Sequence, residues 1–557
     1  MTRYSGLSIL WAASVMTLLL VFLVSAPLEA HAQTSMRRLR KEAAHRHRRI
    51  IFDNDGNEPV YYCEEATAEE LLSKRTSPLP PSQVDTIFYC TWSSGFSYFT
   101  HDTKAGVVFD CAAEEPGKGP GSGFSKNKTR AFIEQGTDPL KIVIAWCRAH
   151  DTEVFWSMRM NDVHDAWGSW YSPHLFPSIK EQHPEWLMGS KDKRPVNGGW
   201  TAIDYGQPEV RDRAFGFIEE VCTDYDVDGV QMDFFRHLTY FRKHAWGEPV
   251  GQEELDMMTG LIRRIRAMAD EAAVEKKHPI LLSVRVPDSV ELCKAVGLDI
   301  ERWMDEDLID ILVVSGYFRL NYWDVTTRLG HRYGVPVYPC LSETRMRDAE
   351  AKKVRASLEC YRARAVNAWH GGAEGIYMFN FFNPHSPLWR EVGSMETLWG
   401  LDKVYTTGAR GTGNLDFWYT GGESFLNRSL LSPERARKLE PGQTETVDLL
   451  VGEDLRAQRG KGESEGEADA SIPAITLELR VKDLATADDL RVAINDASLS
   501  EGTQEGIWVA YTLTPAQLKH GMNEFAITLE DGAGGTPVLE DLLLWVRYGE
   551  EANPGTR

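Results

Sequence analysis

The chain is short of positive charge: 61 Lys and Arg stand against 82 Asp and Glu, a net of −21 at pH 7. That balance argues against nucleic acid or an anionic membrane surface as the main partner, and is compatible with a neutral or cationic ligand. The eight Cys include no CxxC pair and no Cys/His cluster at metal-ligand spacing, so neither a structural zinc nor any other metal or cofactor is expected. Cys90 and Cys340 fall in strand-like apolar runs, and Cys147, Cys222 and Cys360 in helical ones, the setting of buried free thiols. Cys63 and Cys111, in loop-like sequence, are the pair most open to a disulfide. No glycine-rich phosphate loop follows the first strand-like run, which removes the usual dinucleotide reading. No Ser-His-Asp or Cys-His arrangement is identifiable, so an esterase or deacetylase lacks its equipment.

What is there begins at the N-terminus. Arg3 precedes an apolar run from Leu7 to Val24, and Ala30-His31-Ala32 supplies a small-x-small site, the layout of a secretory signal over residues 1–32. Cleavage near Ala32 and a periplasmic or extracellular location are expected, with no membrane contact afterwards; an uncleaved anchor is the alternative. Residues 33–48 are basic and read as a short solvated arm.

From Arg49 onward, eight short apolar runs alternate with helical patterns: Ile50–Phe52, Val84–Trp92, Glu153–Met160, 229–234, Ile280–Val286, Leu308–Tyr317, Val335–Leu341 and Gly375–Phe382. Before the fourth, Pro208–Thr223 carries Val210, Ala214, Phe217, Ile218 and Val221 at helical spacing behind an N-terminal proline. Strands apolar along their whole length belong to parallel sheets covered on both faces. The expectation is an α/β chain, a (β/α)8 TIM barrel over 49–405, with an open doubly wound sheet as competitor. Beyond about residue 410, short alternating runs such as Ile475–Val481 and Leu490–Ile494 predict a C-terminal antiparallel β-sandwich over 406–557. Gly452–Ser471, charged and poor in apolar residues, reads as a loop within it. That module either binds carbohydrate or braces the barrel.

In such a barrel every strand delivers its last residues to one face, and that face holds the site. Arriving there are Asp53, Asp55, Trp92, Asn161, Asp162, Asp233, Arg236, His237, Asp288, Tyr317, Glu343 and Asn380. Trp167, Trp170 and Trp200 lie in the long excursion after the third run, and Asp204 with Arg211 reads as a structural pair holding it. Two carboxylates flanking a bond are the minimum equipment for hydrolysing a glycoside. Runs four and seven stand opposite each other, so Asp233 and Glu343 are the expected catalytic pair, with Asp288 in reserve. The remaining amides, acids and aromatics are expected to bind a poly- or oligosaccharide. Two bland readings stay open: Glu343 capping the next helix, and Asp53 and Asp55 serving a turn.

Three blocks carry a resemblance: His183-Pro184-Glu185-Trp186-Leu187; Trp200-Thr201-Ala202-Ile203-Asp204-Tyr205-Gly206-Gln207-Pro208-Glu209-Val210-Arg211; and Asp228-Gly229-Val230-Gln231-Met232-Asp233. Together they resemble the glycosyl-hydrolase-like-10 family over about residues 48–400. The resemblance implies an exported TIM-barrel glycoside hydrolase related to retaining enzymes, with the family's fourth-strand acid at Asp233; the expectation is then retention, with Asp233 as general acid/base and Glu343 as nucleophile. It departs from the family where Phe234-Phe235-Arg236-His237 follows the acid, and Asp233 is one methylene shorter than the Glu of family-10 enzymes. An Asp on the fourth strand is the nucleophile in α-galactosidase-like barrels, which reverses the roles. A non-catalytic glycan-binding or scaffold protein is the alternative from another class.

Overall fold

The computed structural model describes residues 33–55, 57–410, 415–456, 472–500 and 502–548. The expected signal peptide and most of the charged loop (457–471) lie outside the described residues. Among the described residues, no helix is long and apolar enough to cross a membrane.

Eight parallel strands close into a barrel: β1 (Ile50–Asn54), β2 (Val84–Cys90), β3 (Glu153–Arg159), β4 (Gly229–Asp233), β5 (Leu281–Val286), β6 (Ile311–Val314), β7 (Val337–Ser342) and β8 (Ile376–Phe379). Each pairs with its sequence neighbours, and β8 closes on β1 through Ile50↔Ile376. Helices such as Pro208–Asp224 and Gln252–Lys276 cover the outside, so the strands are buried on both faces and read as apolar runs. Inward-pointing Ile51, Phe88, Phe155, Leu281, Ile311, Val313, Tyr338 and Tyr377 fill the interior, with Phe88 stacked on Phe155 at 4.4 Å.

The bottom of the barrel is closed by charge. Arg48 donates through Nε and Nη2 to Glu153 at 2.6 and 2.7 Å, and Thr86 Oγ1 adds a bond of 2.8 Å. Residues 33–44, expected as a solvated arm, form a helix over this end. Its Ala43 and Ala44 carbonyls accept from Arg48, while Arg37, Arg40 and Lys41 converge on Asp307. Much of the positive charge that suggested solvation is thus paired with specific carboxylates, although Arg37 and Arg38 stay exposed. Cys63 and Cys111 are both free thiols; Cys63 donates to the Pro59 carbonyl, and burial pushes it up to about 11.

The C-terminal region is a two-sheet antiparallel sandwich. Its main strands are β9 (Lys403–Thr406), β10 (Thr444–Val451), β11 (Ala474–Lys482), β12 (Leu490–Ile494), β13 (Trp508–Leu513), β14 (Gly521–Leu529) and β15 (Val538–Arg547). One sheet runs β9-β15-β11-β13 and the other β10-β14-β12, with short strands at the edges. Between β9 and β10 the chain returns to the barrel, where Leu415 and Trp418 join its core.

A buried ion pair locks the two units together. Arg355, at the end of the helix Ala349–Arg355, donates through Nη1 and Nη2 to Asp541 of β15 at 2.8 and 2.7 Å. Both side chains are out of solvent. Removing one partner strands the other, so Asp541→Ala is expected to lower unfolding stability by about 3–5 kcal/mol. In urea titrations, the double variant Arg355→Met/Asp541→Leu should recover most of that loss.

Candidate active site

Strand periodicity decides which acids reach the mouth. Asp233 shares the parity of Gln231 and points into the barrel, where its register partners are Arg159 on β3 and Arg285 on β5. Arg285 grips it bidentately, Nε to Oδ1 at 3.0 Å and Nη2 to Oδ2 at 2.7 Å. The backbone N–H groups of Phe235 and Arg236 donate to the same Oδ1 at 2.9 and 3.3 Å. Asp233 is 3% exposed and does not line the open cleft. The acid expected as general acid/base is thus gripped by Arg285 beneath the cleft and does not face it.

The layer continues around the barrel. Asp53 points inward from β1 with its nearest cation, Arg285 Nη1, 3.8 Å away. Burial, with the charges of Asp55 and Asp233, pushes its carboxyl up to about 7 against the pull of Arg285. Asp55 is ion-paired to Arg159 and, at 3.3 Å, to Arg236. Burial raises Asp55, but these guanidinium groups more than offset that and hold it well below the usual carboxylate range. Arg159 also donates to Asp162 Oδ2 at 3.1 Å.

Above this floor opens a cleft of about 610 Å³, lined by Asp55, His164, Trp167, Tyr171, Arg236, His237, Tyr317, Glu343, Arg345, Asn380, Phe382 and Trp418. Glu343, just past β7, is one of its carboxylates. Its Oε1 accepts from Arg345 Nε at 3.0 Å, Arg410 Nη2 at 2.9 Å and Asn380 Nδ2 at 3.5 Å. Among the described residues its Oε2 has no hydrogen-bond donor, and the side chain is about one-third exposed. Trp167, 41% exposed, stands 6.3 Å from Trp418, and His237 lies 5.2 Å from Trp418, which makes an aromatic wall. Left-handed backbone occurs at Trp92, Ser315 and Asn380, within two residues of the ends of β2, β6 and β8, so strain gathers at this mouth.

Of the residues expected here, Asp55, Trp167, Arg236, His237, Tyr317, Glu343 and Asn380 meet in the cleft. Others do not. Trp92 packs on Phe109 at 5.6 Å, Trp170 on Phe124 at 5.1 Å, and Trp200 on Phe176 at 5.7 Å. Asn161 ties the excursion to the barrel through the Ile203 and Thr239 carbonyls. Asp288 accepts from Leu320 and Asn321 N–H, which fixes the loop after β6. Asp204 pairs with Arg242 at 3.2 Å rather than with Arg211. Sequence reasoning missed Trp418, Phe382, Tyr171, Arg345 and His164 as cleft residues. Trp418 gave no signal, because it lies beyond the last barrel strand and arrives only through the returning segment.

Asp162, His164 and His237 bring ligand-type atoms within 4.8 Å of one another, a cluster that the linear spacing does not show. Asp162 Oδ2 already accepts from His164 Nδ1 at 2.7 Å and from Arg159, and its Oδ1 accepts from Ser94 Oγ at 2.9 Å. Burial holds His237 well below its ordinary value, hence neutral, and its Nδ1 accepts from Val163 N–H at 3.3 Å. A cation would have to displace a guanidinium from the shared oxygen, so the donor set fits charge pairing better than metal ligation.

No family model and no curated protein matches the chain. Among solved structures, a Paenibacillus cycloisomaltooligosaccharide glucanotransferase is similar at 10% identity and a TM-score of 0.33, over 90% of this chain and 57% of that one. A GH36 alpha-galactosidase from Geobacillus stearothermophilus gives 11% identity and 0.35, over 90% and 55%. A multi-modular cell-surface chitinase from Paenibacillus gives 9% and 0.36, over 87% and 52%. The chain spans just over half the length of each of these proteins, and the barrel assignment rests on its own strand register.

Two outcomes follow from the charged floor. Asp233→Asn leaves the Arg285 charge buried without its counter-ion, and should destabilise the fold by about 3–5 kcal/mol in denaturant titrations. Asp53, raised in the folded state, binds its proton more tightly there than in the unfolded chain. Its contribution therefore falls by roughly 1.4 kcal/mol per pH unit as pH rises from about 4 to about 7. Asp55 and Asp162, depressed, act in the opposite sense and lose their contribution below about pH 4. Stability measured against pH should be flatter between 4 and 7 in Asp53→Asn than in the unsubstituted protein.

Proposed function

We propose that the protein is a carbohydrate-active enzyme, a glycoside hydrolase, whose substrate lies in the cleft at the C-terminal face of the barrel. The observation that carries this reading is the convergence of two carboxylates, Asp55 and Glu343, on one sugar-sized hollow walled by Trp167, Trp418 and Tyr317. Glu343 keeps one carboxylate oxygen clear of protein donors and is the working acid. Asp55, held ionised by Arg159 and Arg236, supplies fixed negative charge against a developing oxocarbenium ion. Tyr, Trp and Asn380 side chains give a sugar its stacking faces and a hydrogen-bonding amide. The three sequence blocks that resemble the glycosyl-hydrolase-like-10 family support the same reading. Retention of configuration and export through the segment 1–32 belong to this proposal as well.

A specific observation favours a second reading, a glycan-binding barrel without turnover. Both cleft carboxylates hydrogen-bond to arginines, and Asp55 is held ionised by its two, so neither stands clear of guanidinium groups as a proton donor to a leaving group would.

Incubation with a panel of poly- and oligosaccharides separates the two. Turnover that Glu343→Gln reduces by about 10²–10⁴-fold, with an unchanged circular dichroism spectrum and melting temperature, supports the hydrolase. Saturable binding without product, equal in both proteins, supports the binder. NMR of the first product anomer reports retention or inversion.

A further inference from the structure

A second, smaller cavity of about 50 Å³ lies at the seam between barrel and sandwich. Its lining comes from the loop after β6, from the helix Leu358–His370, from the segment returning after β9, and from β10. Four arginines face it: Arg319, Arg364, Arg410 and Arg428. Only Arg410 has a carboxylate partner, Glu343. Among the described residues, Arg319, Arg364 and Arg428 make no ion pair; their bonds go to backbone carbonyls, and Arg364 also meets the Tyr361 side chain, its guanidinium 4.8 Å over that ring. Arg319 Nε donates to Asn321 O at 2.9 Å, Arg364 Nη1 to Ser342 O at 3.0 Å, and Arg428 Nε to Arg319 O at 3.3 Å.

The surplus of donors is not limited to charge. Trp323 lines the same cavity, is 2% exposed, and its indole Nε1–H has no acceptor among the described residues. The Arg319 guanidinium lies 4.4 Å over that indole. On the acidic side, Asp448 lines the cavity and accepts from Ser429 Oγ at 3.3 Å. Asp288 lies close enough to feel Arg319 and Arg428, but its oxygens are taken by backbone N–H groups. Three unpaired cations against two acids leave net positive charge around a hollow. Buried donors of this kind are normally satisfied.

Size limits the occupant. One water needs roughly 10–15 Å³ measured this way, so the cavity of about 50 Å³ takes about three to five waters or a single five-atom ion, and excludes a sugar ring. We propose that this seam cavity, ringed by Arg319, Arg364 and Arg428 with the Trp323 indole as an added donor, binds one small tetrahedral oxyanion, phosphate or sulfate, that bridges barrel and sandwich. Burial and the neighbouring Arg428 charge push Arg319 down to about 9, as expected of guanidinium groups lacking counter-charge.

The full chain is melted in sodium phosphate, sodium sulfate and sodium chloride at matched ionic strength. A saturable rise on the order of 3 °C above chloride is expected. Saturation separates a site from the general stabilisation that sulfate and phosphate give by exclusion, which grows without limit. Arg319→Gln and Arg428→Gln should each weaken the apparent affinity at least tenfold, while melting in chloride at or above the unsubstituted protein. Arg364→Gln serves the same purpose where either fails to fold. A saturable response to phosphate, to sulfate, or to both supports the site and identifies its ion. No saturable response to either, or variants that respond as the unsubstituted protein does, overturns it.

Discussion

The structure depends on the lateral pairing of buried charges across the top of the barrel. Asp233 and Arg285 are register partners on adjacent strands, and Arg159 carries the pattern on to Asp55 and Asp162. A ring of apolar side chains could have capped this barrel with equal volume. The charged ring instead makes each side chain's position depend on its neighbours, because a guanidinium without its carboxylate is far more costly here than at the surface. A rigid polar floor follows, and the cleft stands on it. Arg236 belongs to both: it pairs with Asp55 and faces the open space.

The same device recurs at each place where the chain closes on itself. Arg48 with Glu153 shuts the bottom of the barrel, and Arg355 with Asp541 joins barrel to sandwich. At the seam beside β10 the pattern breaks, since Arg319, Arg364 and Arg428 meet without carboxylates to match. Arg410 stands between the two regimes. It lines the seam cavity while its guanidinium holds Glu343 on the cleft side, so the barrel's working face and the sandwich share one residue.

The eight strands were legible because a parallel barrel buries both faces of each strand, and burial writes an apolar run that needs no partner to be seen. The sandwich was legible for the complementary reason, an alternation that one-sided burial imposes on strands such as β11. Glu343, Arg236, His237 and Tyr317 were placed on the right face by their position at strand ends alone. Asp233 was expected in the cleft and lies beneath it, because a strand end fixes height but not exposure. Whether an acid there is free depends on Arg285, fifty-two residues away and visible only through register. The helix over 33–44 was not foreseen for the same reason, Arg40 and Arg48 being matched to Asp307 and Glu153 across the chain.

The linear order of residues therefore determined the architecture and the face on which ligand-bearing side chains gather, since hydrophobic periodicity acts locally and repeats. Only the tertiary structure decided which of those side chains remain available. Charge pairing acts between residues distant in sequence, and a carboxylate with a guanidinium in its grip differs from a free one in nothing that the sequence around it records.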